Sequence, residues 1–195
     1  MHSFFLSKTS VFLGLFFGII FSSTLPAAEN KAALSGNSGC SIVLLKNQEY
    51  LPALTTAIDD AKSEIIMSFF LFKAGVHKNS FPDRVLSHLH QAARKGVRVV
   101  VILENSGGND RNVDAENRRT KQLLEEKGVQ VYFDSPRKTT HTKLVVIDQR
   151  LVLLGSHNLT QSALKYNNEM SLLIDRPDLA REARTYMLKI IKEAK

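Results

Sequence analysis

Residues 141–158 read "HTKLVVIDQRLVLLGSHN". Val, Ile and Leu dominate, as in a buried strand, yet the stretch also carries His141, Lys143, Asp148, Ser156 and Asn158. Side chains alternate faces along a strand, so His141, Lys143, Val145 and Ile147 share one side. Asp148-Gln149-Arg150 is the only polar break, and the chain is expected to turn back there. A two-residue loop at Gln149 and Arg150 would pair Asp148 with Leu151, Lys143 with Ser156, and His141 with Asn158. Directly opposed residues share a face, so His141, Lys143, Ser156 and Asn158 would gather at the open end of the hairpin. A slip of one residue would scatter them.

Outward from this hairpin, strands and helices alternate. "SIVLLK" (41–46) reads as a strand, 50–63 has helical spacing, and 64–72 is a strand too apolar for an exposed edge. A unit then occurs twice: a helix over 81–95 with Gly96 as its cap and a strand at 97–103, then a helix over 115–127 with Gly128 and a strand at 129–133. The chain closes with an amphipathic helix opened by Pro177. This is an α/β fold with one domain over 41–195.

The beginning differs. Thr9–Ala28 holds no charged residue, follows Lys8, and ends in "SSTLPAA". That layout predicts a secretory signal over 1–27, followed by a small, polar linker at 28–40. Leu25 or Pro26 stands where a small residue is expected at the cleavage site. Twenty uncharged residues would also span roughly 30 Å as a helix, so a retained membrane anchor over 9–28 remains open beside cleavage. Either way the remainder faces an exported compartment, periplasmic or secreted.

The lone Cys40 excludes an internal disulfide framework. The chain of 195 residues carries a net charge of +7, and loss of 1–27 removes Lys8 and no acid. The remaining basic surplus suits a polyanionic partner, nucleic acid or anionic lipid.

A cluster of lysine, serine and asparagine suits oxygens that carry negative charge. Histidine adds a nucleophile or proton carrier near neutral pH. An anionic phosphodiester fits this set, and Glu169, at the head of the next strand, could return to the same end of the sheet.

H-x-K-x4-D-x6-G-S-x-N is here His141, Lys143, Asp148, Gly155, Ser156 and Asn158, with Glu169 eleven residues on. It resembles the HKD motif of the phospholipase D superfamily, and the single copy and small size resemble its small bacterial endonuclease branch. The resemblance implies a mixed, largely buried β-sheet flanked by helices on both faces. It implies that His141 forms a phosphohistidine, that Lys143 and Asn158 bind phosphate oxygens with Ser156 nearby, and that Glu169 orients His141. Asp148, though a motif member, is better placed to hold loop structure. One motif per chain implies a homodimer with a shared site, and no cofactor.

Other residues weigh less. Arg111, Arg118 and Arg119, in a polar stretch at 104–119, and Arg137 and Lys138 are candidate contacts to substrate phosphates. His157 should face away from the site. His88 and His90 do not share a helix face, and no other residues have metal-ligand spacing. Phe69, Phe70 and Phe72 read as core more than as stacking platforms. The leading expectation is a metal-independent endonuclease acting on DNA or RNA. The alternative is cleavage of phospholipid head groups, and a remote third is a non-catalytic nucleic-acid- or membrane-binding module.

Overall fold

A computed structural model describes residues 40–194. The expected leader over 1–27 and most of the linker lie outside the described residues. The elements run β1 (Ser41–Lys46), α1 (Tyr50–Asp60), β2 (Glu64–Phe69), α2 (Phe81–Arg94), β3 (Arg98–Leu103), α3 (Arg111–Glu125), β4 (Gln130–Phe133), β5 (Lys143–Ile147), β6 (Leu151–Gly155), α4 (Gln161–Lys165), β7 (Met170–Asp175) and α5 (Pro177–Glu193). The seven strands form one mixed sheet in the order β1-β7-β6-β5-β2-β3-β4. Only β2-β3 and β3-β4 are parallel, as their helical crossovers require.

Alternation along the strands splits the core into two layers. Ile65, Met67 and Phe69 of β2 join Val145 and Ile147 of β5 under α1 and α2. Ile66, Val146 and Val152 face α5 through Ala180, Met187 and Ile190. Central strands buried on both faces explain the unbroken apolar runs in the sequence. Glu64 fixes the angle of α5: buried at the start of β2, it binds Arg98 at 2.5 Å and a second guanidinium from Arg184. Beyond the reach of α5, Ile42 and Leu44 remain 60% and 47% exposed, so the β1 edge of that face is bare.

Two expectations need correction. The third helix begins at Arg111, four residues earlier than expected, because the Asp110 carboxylate caps the N–H groups of Asn112 and Val113. Arg111 therefore sits on the same helix as Arg118 and Arg119. The hairpin is also slipped by one residue: Ile147 pairs with Leu151 and Leu144 with Leu154. Asp148 and Gln149 both take left-handed φ (51° and 52°), and Arg150 N–H closes on Ile147 O at 2.9 Å. The turn thus uses three residues, 148–150. Continued to the open end, this register sets Lys143 opposite Gly155 and His141 opposite His157. Register alone does not gather Ser156 and Asn158 with them.

Candidate active site

One end of the sheet collects the polar motif residues other than Asp148: the C-terminal ends of β2, β3, β4 and β6 and the N-terminal ends of β5 and β7. Lys143 opens β5, paired with Phe69 of β2. Its side chain is buried, donates to the carbonyl of His141 at 2.9 Å, and lies 5.2 Å above the Phe70 ring. His141 is exposed, and its ring leans on the other part of Phe70, centroids 4.7 Å apart at 57°. Phe70 is thus a shared floor for both side chains and only half-buried, whereas Phe69 and Phe72 are core.

Electrostatics follow from this packing. Desolvation, then the Lys143 charge, holds the His141 imidazole below its ordinary 6.5. Burial likewise pulls Lys143 below the usual lysine range, opposed by the charge of Glu169. A neutral imidazole with an accessible lone pair, beside a desolvated cation, can attack an anionic electrophile that the cation holds.

Ser156 and Asn167 assemble around Glu169. Its carboxylate accepts from Ser156 Oγ and from Asn167 Nδ2, the latter at 3.1 Å. Its backbone is clamped by Asn47, whose N–H donates to Glu169 O and whose Oδ1 accepts Glu169 N–H, both at 2.9 Å. The expected bond from Glu169 to His141 is not among the contacts of the described residues; the carboxylate instead meets Ser156 and Asn167. Gly155 permits the approach of β6 to β7: a Cβ there would stand 2.1 Å from Ser171 Oγ and 2.4 Å from Met170 O. Asn158 lies three residues on, and its Oδ1 is buried without a partner. The unpaired atom is an acceptor, so only the Nδ2 end of this amide can donate to an anion.

Asp148 is elsewhere. It sits seven residues along β5 from His141, about 23 Å at strand rise. Its carboxylate accepts N–H from Lys62, Ser63 and Glu64 at 2.8–2.9 Å and the Ser63 hydroxyl at 2.7 Å. These bonds hold it below the usual carboxylate range against the cost of burial. It ties the hairpin turn to the start of β2 and does not meet the other motif residues. His157 is fully buried, stacked on Tyr50 at 4.3 Å and bonded to Ser171 and Asn47.

Of the basic candidates, Arg118 pairs with Asp114 at 3.6 Å and Arg119 with Glu116 at 2.5 Å. Arg111, Arg137 and Lys138 are exposed at the motif end of the sheet, with no ion pair among the described residues. Sequence reasoning passed over Asn117 of α3. Fully buried, its amide donates to Phe70 O and Glu104 O and accepts from Phe72 N–H at 2.9–3.0 Å. The available sign was its spacing: Val113, Asn117, Thr120 and Leu124 form one buried helical stripe, half of it polar.

A protein-family model described as cardiolipin synthase, PLD-like domain, matches residues 54–191. Mitochondrial cardiolipin hydrolase of Mus musculus is 30% identical over 148 residues, 75% of this chain and 60% of that protein. Cardiolipin synthase B of Escherichia coli (strain K12) is 31% identical over 140 residues, 64% of this chain and 31% of that protein. The chain thus spans less than two thirds of the length of each of these relatives. Among solved structures, Nuc from Salmonella typhimurium, a phospholipase D family member, superposes with a TM-score of 0.68 at 22% identity, covering 80% of this chain and 97% of Nuc. That likeness establishes the fold.

Proposed function

The chain belongs to the phospholipase D superfamily, and from that premise we propose that it is a phosphodiesterase whose nucleophile is His141. The neutral imidazole of one copy attacks phosphorus, the P–O bond to the leaving alkoxide breaks, and a second imidazole, in its protonated form, gives its proton to that oxygen. Water then cleaves the phosphohistidine and returns the proton. Lys143 and Asn158 hold the non-bridging oxygens, with Ser156 set by Glu169 beside them. The observation that carries this reading is the accessible imidazole next to a buried lysine on one aromatic floor.

One imidazole cannot attack and protonate on opposite sides of the same phosphorus. The second is supplied by a second copy of the chain across a two-fold axis. A surface that suits this copy is the apolar row on the α5 side, where the exposed Leu44 and Leu154 flank the half-buried Leu172 across β1, β6 and β7. The reaction needs no metal or other cofactor. Among the described residues no group of three or more His, Cys, Asp or Glu has the placement to hold a metal ion.

The substrate we propose is a nucleic-acid strand, DNA or RNA. Arg111, Arg137 and Lys138 are exposed cations with no ion pair among the described residues and would meet flanking phosphates, whereas Arg118 and Arg119 are already paired. The names of the cardiolipin relatives favour a second reading, a phospholipid head group. A non-catalytic binding module is the third. The enzyme works outside the cytoplasm, with residues 1–27 as leader or 9–28 as tether. Among the described residues no helix is long and apolar enough to cross a membrane. Incubation in EDTA with plasmid DNA and, separately, with cardiolipin vesicles separates the readings. Nicked DNA with intact lipid supports the nuclease, released phosphatidate supports the lipase, and neither product leaves a binding module.

A further inference from the structure

Strand β2 ends at Phe69, but the chain runs on through residues 70–74 between the two halves of the site. One side of this strap is bonded to neighbours of the motif residues. Phe70 N–H donates at 3.0 Å to the carbonyl of Thr142, which stands between His141 and Lys143. Leu159, next to Asn158, donates its N–H to Leu71 O at 3.0 Å, and Lys73 N–H returns to Leu159 O at 2.9 Å. Phe72 and Leu159 form a parallel bridge. The strap therefore ties the segment carrying His141 and Lys143 to the segment carrying Asn158.

Its other side lies beyond the end of β3, which stops at Leu103 opposite Phe69. Buried backbone groups there need partners, and two fully buried side chains of α3 supply them. Asn117 Nδ2 donates to Phe70 O at 2.9 Å, and its Oδ1 accepts Phe72 N–H at 3.0 Å. The Thr120 hydroxyl donates to Phe72 O at 2.5 Å and accepts Ala74 N–H at 3.1 Å. The amide reaches one group more: Nδ2 also donates to Glu104 O at 3.0 Å, and the Glu104 carboxylate takes the N–H of Thr140 at 2.5 Å. The three bonds of one side chain thus converge on the site. Phe70 grips Thr142 and Glu104 grips Thr140, on either side of His141, while the neighbours of Phe72 grip Leu159 beside Asn158.

We infer that Asn117, assisted by Thr120, is a positioning residue that fixes the spacing between the nucleophile and the phosphate-holding Asn158 through the strap that joins them. This rests on the reading of His141 as nucleophile and of Lys143 and Asn158 as holders of the phosphate. Asn117 lies behind the Phe70 floor and touches neither substrate nor reacting atoms. Binding an anion needs little more than the Lys143 charge. Attack needs the imidazole in line with a phosphorus held from both halves of the site. A shift of one half against the other is therefore felt in the transition state and scarcely in the bound substrate. A purely structural role predicts something different: loss of stability, with each folded molecule as active as before.

The test compares Asn117→Leu with Leu124→Ala in the full chain, with bis(p-nitrophenyl) phosphate as substrate and rates taken per folded molecule. Leucine fills the space of the amide and removes all three bonds. Leu124 is buried on the same helix seven residues on, about 10 Å along its axis, and its loss leaves a destabilising cavity that does not touch the strap. Asn117→Leu should lower kcat about 100-fold at unchanged KM, the size expected for a nucleophile displaced by about 1 Å. Leu124→Ala should lower Tm and leave kcat within about twofold of wild type. Wild-type kcat in folded Asn117→Leu overturns the inference, as does a loss confined to KM or an equal fall of kcat in Leu124→Ala. Should Asn117→Leu not fold, Thr120→Val carries the decision. It frees the same strap at Phe72 and Ala74, and kcat should fall about tenfold at unchanged KM, the size of one buried hydrogen bond; wild-type kcat there overturns the inference too. A readout without turnover keeps the two readings apart. The His141 and Phe70 rings, 4.7 Å apart at their centroids, should give an NMR cross-relaxation peak in wild type and Leu124→Ala that is lost in Asn117→Leu. Its persistence in Asn117→Leu overturns the positioning role, whereas a wild-type chain that cleaves no phosphodiester defeats the enzymatic reading alone.

Discussion

Asp148→Asn separates holding the fold from performing the chemistry. Asparagine tolerates the left-handed φ of 51° at this position, so the backbone is not strained. The amide oxygen can keep the place of Oδ1, which accepts from Ser63 N–H, Ser63 Oγ and Glu64 N–H. The amide nitrogen then faces Lys62 N–H, donor against donor, and that bond is lost. Losing one bond to a charged acceptor costs about 1.5–3 kcal/mol, and the three survivors fall from charge-assisted to neutral strength. A net destabilisation of about 3 kcal/mol is expected, a fall in Tm of roughly 6–12 °C for a domain this size. The pH dependence has a definite sign. The folded Asp148 carboxyl lies below its ordinary 3.8, so its contribution is present above that value and disappears as pH falls through the lower, folded one. Asparagine should therefore narrow the gap between wild type and variant below pH 3.8. Because His141 lies about 23 Å away along the strand, kcat per folded molecule at 15 °C should equal that of wild type. A variant with unchanged Tm and lost turnover would falsify the structural assignment and return Asp148 to the site.

Three further outcomes are expected. His141→Ala should remove turnover with Tm within about 1 °C of wild type, since the side chain is exposed; in a 1:1 mixture with wild type, about one dimer in four retains both imidazoles, and activity near 50% rather than 25% would mean independent sites. Lys143→Met should move the NMR titration of His141 upward by removing the neighbouring positive charge, with burial still holding it under 6.5; no upward movement would mean the two groups are not coupled. Gly155→Ala should destabilise the chain by at least about 2 kcal/mol, because Ser171 Oγ and Met170 O occupy the space of the new methyl, and a wild-type melting curve would refute that packing.

What the sequence alone determined is the part governed by short-range rules. Alternation and apolar runs mark β2, β3 and β5; Gly96 and Gly128, both with positive φ, mark the helix ends; and the spacing from His141 to Asn158 marks the family. The exact start of α3 was a local rule overlooked, since Asp110 is a good cap in plain view. The rest was decided by contacts between segments distant along the chain. The hairpin register is set by a turn whose Asp148 carboxylate is engaged some eighty-five residues away, at Lys62–Glu64. Glu169 meets Ser156 and Asn47 instead of His141 because β7 lies between β1 and β6, a strand order that pairwise spacing does not encode. The bond from Thr140 N–H to the buried Glu104 exists only because the end of β3 lies beside the segment that leads into β5. Propensity and periodicity act over a few residues, whereas burial and charge act on whatever the fold brings together, and the chemistry of this site belongs to the second.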